Sequence, residues 1–107
     1  MDLQVSPTVV AGVPTVCVEG TVDLATLGAL HDALHRAVLA HPGRVLRVDL
    51  DAVTAIDDGG LGVLVGAAAT ARDRDGEIEL VCSNPTVRRR LTATRLDRIF
   101  EIRSTVA

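Results

Sequence analysis

Asp57 and Asp58, two adjacent carboxylates followed directly by Gly59 and Gly60, form the stretch of this chain with the clearest capacity for chemistry. They cannot pack as core, because buried unpaired charge costs several kcal/mol and glycine adds no apolar area. An exposed turn is expected. Leu61, Leu64, Val65 and Ala68 then recur at helical spacing, so Asp57 or Asp58 stands where a side-chain oxygen caps the first free amides of a helix. Such an N-terminus attracts anions, yet two carboxylates already sit there and would repel a nucleotide. Gly60, Gly62 and Gly66 do not match a dinucleotide loop, and no Gly-Lys-Ser/Thr phosphate loop is present. His31 and His35 lie four apart, a spacing that can place two imidazoles on one metal. No third ligand is evident, and no metal or other cofactor is expected. Cys17 and Cys82 are flanked by strand-like residues, and no serine stands in a Gly-flanked elbow, so no enzyme is expected. Arg88-Arg89-Arg90 reads as a solvated basic face, with an acidic partner as the minor alternative.

The framework that must hold these residues is aliphatic. Hydrophobic residues make up 48% of 107, yet Phe100 is the only aromatic. That length suits a single domain over residues 1–107 with a core that needs neither disulfide nor metal. All eleven basic residues are Arg, against fourteen acids, giving a net charge of -3. Neither a phosphate backbone nor stacked bases would find a surface here, so nucleic-acid binding is disfavoured. The weakly polar run from Leu61 to Ala71 is far shorter than the ~20 residues of a membrane span, and no signal-peptide pattern opens the chain. No membrane insertion, a cytoplasmic location and reduced thiols are the expectations.

Along the chain, Leu3–Ser6 and Val13–Glu19 read as a hairpin turned at Ala11-Gly12, with Val16 and Val18 on one face and Thr15, Cys17 and Glu19 on the other. Gly20-Thr21-Val22-Asp23 stops that pattern. A first helix is expected from Leu24, with Asp23 as N-cap, positions 24, 27, 30, 34 and 38 as its apolar stripe and His41-Pro42-Gly43 as its end. Val45 to Leu50 is the clearest strand. A second helix spans about Gly59 to Arg72, Ile78 to Cys82 form a strand, Asn84-Pro85 start a short helix, and Ile99 to Ile102 make a last strand. The order β-β-α-β-α-β-α-β specifies an α/β fold with a mixed sheet, antiparallel at its first hairpin and parallel thereafter.

Ile56-Asp57-Asp58-Gly59-Gly60-Leu61-Gly62-Val63-Leu64, preceded by Val48-Asp49-Leu50, resembles the STAS domain of anti-sigma factor antagonists. Gly20-Thr21-Val22-Asp23 resembles the family's Gly-x-x-Asp turn. Ile78 to Cys82, Pro85 to Leu91 and Ile99 to Ile102 resemble its C-terminal third, with Arg95 where the family often has Gly. The resemblance implies a binding module that captures a kinase-fold anti-sigma factor through the turn and N-terminus of the second helix. Partner switching there is controlled by phosphorylation of a serine in Asp-Ser-Ser-Gly. Aligned on Asp57 and Gly60, this chain puts Asp58 in the first serine slot and Gly59 in the second, the usual acceptor, so no phosphorylation is expected at Gly59 and Thr54 and Ser83 are the nearest fallback hydroxyls. Asp58 should act as a partial stand-in for the phosphate.

The expected contact set is Asp23, Asp57, Asp58, Gly59, Gly60 and Leu61, with Leu61→Arg weakening the complex and leaving the fold intact. The alternative is a structural subunit of a larger transport or sensory assembly. A small-ligand or nucleotide binder is weakened by the missing phosphate loop.

Overall fold

The structure is a computed structural model that describes residues 2–104. β1 (Leu3–Val10) and β2 (Val13–Val22) form the hairpin, followed by α1 (Leu27–Ala40), β3 (Val45–Ile56), α2 (Asp58–Asp73), β4 (Glu77–Val81), α3 (Pro85–Ala93), a 3-10 turn (Leu96–Arg98) and β5 (Glu101–Arg103). The hairpin turns on Ala11 and Gly12, both at positive φ, the geometry that matches the twist of tight two-residue hairpins. Pro7 lies in β1, an edge strand of the sheet, where a missing backbone donor is tolerated.

The strands lie in the order β1-β2-β3-β4-β5, antiparallel between β1 and β2 and parallel from β2 to β5. This is the mixed α/β sheet the sequence implies. Each parallel step moves one strand along the sheet through a helix, so right-handed crossovers bring α1, α2 and α3 to a common face. There Val16, Val18, Leu46, Val48, Leu50, Ile78 and Leu80 meet Leu30, Leu34, Leu64, Val87 and Leu91 in one aliphatic cluster. Alternation sends Cys17, Arg47, Asp49, Glu79 and Arg103 to the opposite face. Arg47 Nε pairs with Glu79 Oε1 across strands at 3.3 Å, and Arg103 Nη1 approaches the same oxygen at 3.8 Å.

Several boundaries differ from the sequence expectation, each for a local reason. β2 and β3 do not stop at Glu19 and Leu50 but run on together to Val22 and Ile56, with register shifts between Cys17 and Glu19 and between Gly20 and Thr21. The shifts put two exposed residues in a row at Asp51-Ala52 and again at Thr54-Ala55, which erases the period of two while Val53 and Ile56 still enter the core. α1 starts at Leu27, three residues later than expected. Asp23 Oδ1 accepts from the amides of Ala25 (3.0 Å) and Thr26 (3.2 Å), and Thr26 Oγ1 accepts from the Asp23 amide at 3.0 Å. This reciprocal lock caps a turn ahead of the helix. It leaves Leu24 86% exposed, outside the apolar stripe. The last strand begins at Glu101 because residues 96–98 close into the 3-10 turn.

Candidate functional site

The ends of β2 and β3 bring the sequence-selected residues together. The Asp57 amide donates to the Val22 carbonyl at 3.1 Å, pinning the start of α2 to the end of β2 beside the Asp23 turn. Asp57, and not Asp58, is the cap: it is extended, and its Oδ1 accepts from the Gly60 amide at 2.9 Å. Asp57→Ala should therefore lower unfolding free energy by ~1 kcal/mol, and Asp57→Asn by much less, as read from urea midpoints. Equal midpoints for both variants and the parent would show that the cap contributes nothing.

Asp58 opens the first turn of α2 with its side chain 89% exposed, and its Oδ1 lies 2.7 Å from Arg90 Nη2 on α3. The Arg88–Arg90 run is thus not one solvated face. Arg88 Nη1 donates to the Cys82 carbonyl at 2.7 Å, Arg89 is exposed, and Arg90 holds Asp58. Arg90 Nε is shielded from solvent and has no hydrogen-bond partner among the described residues. It borders a shallow cavity with Thr21, Val22, Asp23, Asp57 and Val87.

Asp23 is half-buried and Asp57, Asp58 and Gly59 are exposed, so these four can meet a partner. Gly60 and Leu61 cannot. Leu61 is 4% exposed and belongs to the core, and Gly60 is buried. A Cβ on Gly60 would lie 2.5 Å from Val22 Cγ1 and 2.7 Å from Ile56 Cγ1, so glycine lets α2 settle on the strand ends. Leu24 is the surface residue that sequence reasoning missed. Its place directly after an Asp that caps a turn, ahead of Thr26, is the signal that could have separated it from the helix.

Burial pushes the thiols of Cys17 and Cys82 above their ordinary value, with Asp49 adding to the effect at Cys17, so both stay protonated. His31 and His35 stack in parallel on α1 with ring centroids 5.9 Å apart, and His31 Nδ1 lies 3.3 Å from Asp32. Among the described residues no three His, Cys, Asp or Glu side chains gather as a metal site. No helix among them is long and apolar enough to cross a membrane.

The family model for the STAS domain matches residues 4–107. The chain belongs to the STAS domain family. This STAS domain is 36% identical over 87 residues to the anti-sigma-B factor antagonist of Listeria monocytogenes, a match covering 81% of this chain and 75% of that protein. The crystal structure of an anti-sigma factor antagonist from Mycobacterium paratuberculosis superposes with a TM-score of 0.88 at 28% identity, over 98% of this chain and 88% of that one. An anti-sigma-factor antagonist STAS domain protein from Planctomyces limnophilus shares the fold, with a TM-score of 0.81 at 17% identity over 94% and 90% of the two chains. The STAS domain of anti-sigma antagonists is a regulatory binding module, not an enzyme.

Proposed function

We propose that this STAS domain is a cytoplasmic anti-sigma factor antagonist that captures a kinase-fold anti-sigma factor stoichiometrically, by partner switching, on the face around the N-terminus of α2. The observation that carries this reading is that the Asp57 amide bonds the Val22 carbonyl, which brings the Asp23 turn and its exposed Leu24 to the same end of the sheet as Asp57, Asp58 and Gly59. An exposed apolar side chain beside charged ones has the apolar centre and polar rim of a protein interface. The family and its named relatives support the choice of partner. Gly60 and Leu61 act from within, by fixing the height and direction of α2. Gly59 carries no hydroxyl, so control by phosphorylation at that slot is absent from this reading.

Arg90 changes what the permanent charge of Asp58 can do. In the family the dianion at this surface expels the partner, so a free carboxylate should weaken binding and one partly offset by an arginine should weaken it less. Asp58→Asn is expected to tighten binding to the kinase-fold partner and Arg90→Ala, which unmasks Asp58, to weaken it, each by roughly three- to tenfold at low salt. Folding should change by less than ~1 kcal/mol in Asp58→Asn, since the pair is exposed. Calorimetric titration of the two variants, and of Leu24→Ala, against a kinase-fold anti-sigma factor from the same genome tests the reading. Loss of about tenfold or more in affinity for Leu24→Ala, with an unchanged melting curve, is the expected result. Affinities that stay equal across all three variants would move the interface off this face.

A further inference from the structure

The flank of α1 that faces the hairpin is lined with the smallest side chain available. Ala33, Ala37 and Ala40 recur at helical spacing on that flank, whereas the stripe that packs into the core carries Leu30, Leu34 and Val38. Opposite the alanines lie Val5, Pro14 and Val16 of the antiparallel hairpin. The gap between the two surfaces is an apolar cavity of about 320 Å³, at the low end of the size range of small-molecule sites. Alanine at these positions leaves open a space that a longer aliphatic side chain would occupy.

The mouth of this cavity has a definite charge. Arg36 and His41 border it, and no Asp or Glu lines it, in a protein with a net charge of -3. Arg36 is exposed and makes no ion pair or hydrogen bond among the described residues, unlike Arg44, Arg47, Arg72, Arg88, Arg90 and Arg103. A single permanent cation over apolar walls suits an aliphatic molecule ending in a single negative charge. The planar guanidinium matches a carboxylate in two-point geometry. At roughly 30 Å³ per heavy atom, the volume of a liquid water, the space holds about ten heavy atoms.

We propose that the cavity between α1 and the β1–β2 hairpin binds a medium-chain aliphatic carboxylate, its chain lying on Val5, Val16 and Ala37 and its carboxylate on Arg36. This site is at the C-terminal half of α1, away from the N-terminus of α2, and does not depend on the anti-sigma reading.

The full-length protein, labelled with nitrogen-15, can be titrated with decanoate and, separately, with decan-1-ol. The expected result is saturable shifts confined to amides of α1 from Ala33 to His41 and of the hairpin around Val16, with decanoate bound about tenfold or more tightly than the alcohol. Arg36→Gln, a change at an exposed side chain, should remove that preference. Ala37→Leu should fill the space and abolish the shifts while the melting temperature holds or rises, which separates a filled site from a broken fold. Three results overturn the proposal: no saturable shift up to the solubility limit of the acid, equal binding of the alcohol, or shifts centred elsewhere. If the same amides move with protein concentration alone, the cavity takes a second copy of the chain, and the carboxylate assignment falls.

Discussion

Leu61→Arg is expected to unfold the domain at mild denaturant concentration, and any loss of partner binding in that variant then reports folding, not contact. The side chain is 4% exposed and sits in the central cluster, one turn into α2. Losing a buried leucine forfeits about 2 kcal/mol of apolar transfer, and an unpaired guanidinium in its place adds several kcal/mol more. Together these approach the whole stability of a domain this size, typically ~5–15 kcal/mol. The expectation drawn from sequence, that this change leaves the fold intact, followed from placing Leu61 in the contact set that the family resemblance implies, and the buried position of Leu61 corrects it. The chain has no Trp or Tyr, so far-UV circular dichroism in urea is the suitable probe. Leu24→Arg is the control, an exposed site where stability should stay within about 0.5 kcal/mol. A Leu61→Arg protein with the parent's urea midpoint would mean that the arginine reaches solvent past Asp58 and that Leu61 is peripheral after all.

What could be read from sequence, and what could not, divides by how far the deciding force acts. The element order and the mixed sheet were legible because Leu46-Val48-Leu50 and Leu30-Leu34-Val38 repeat at the two periods a backbone imposes. A cap at Asp57 or Asp58 was legible for the same reason, since a cap bonds within three residues, and the structure assigns it to Asp57. Arg95 could be noticed only as a departure. The structure supplies its reason: it ends α3 in the left-handed region at φ 60, where glycine is the least strained residue. Three features were not read from the sequence. The continuation of β3 past Leu50 depends on a register shift against β2, which no single-strand pattern contains. The hold of Arg90 on Asp58 spans 32 positions in sequence and needs α3 to cross near the start of α2. Leu24 obeys the helical stripe in sequence, yet a reciprocal Asp23–Thr26 lock delays the helix and turns the side chain out. Part of the proposed contact face was therefore hidden by a capping event three residues long.

Gly60→Ala should destabilise the domain by about 1–2 kcal/mol, whereas the same substitution at Gly62 or Gly66 should stabilise it by ~0.5–1 kcal/mol. All three glycines lie in α2, and intrinsic propensity favours alanine at each. None has a positive φ, so backbone strain does not distinguish them. Space does. A Cβ at Gly62 or Gly66 meets nothing within 4 Å, while at Gly60 it runs into Val22 Cγ1 and Ile56 Cγ1 at 2.5 and 2.7 Å. Val22 is 1% exposed and Ile56 6%, so neither can swing into solvent to make room. The conflict must be met by lifting the first turn of α2 off the strand ends. That movement also draws Asp57 away from the Val22 carbonyl and Asp58 away from Arg90, so the variant should lose partner affinity beyond its loss of stability. Urea midpoints for the three single variants decide the packing claim: if Gly60→Ala gains stability as the other two do, the strand ends are soft. If it loses stability but binds the partner as the parent does, the height of α2 does not set the contact face.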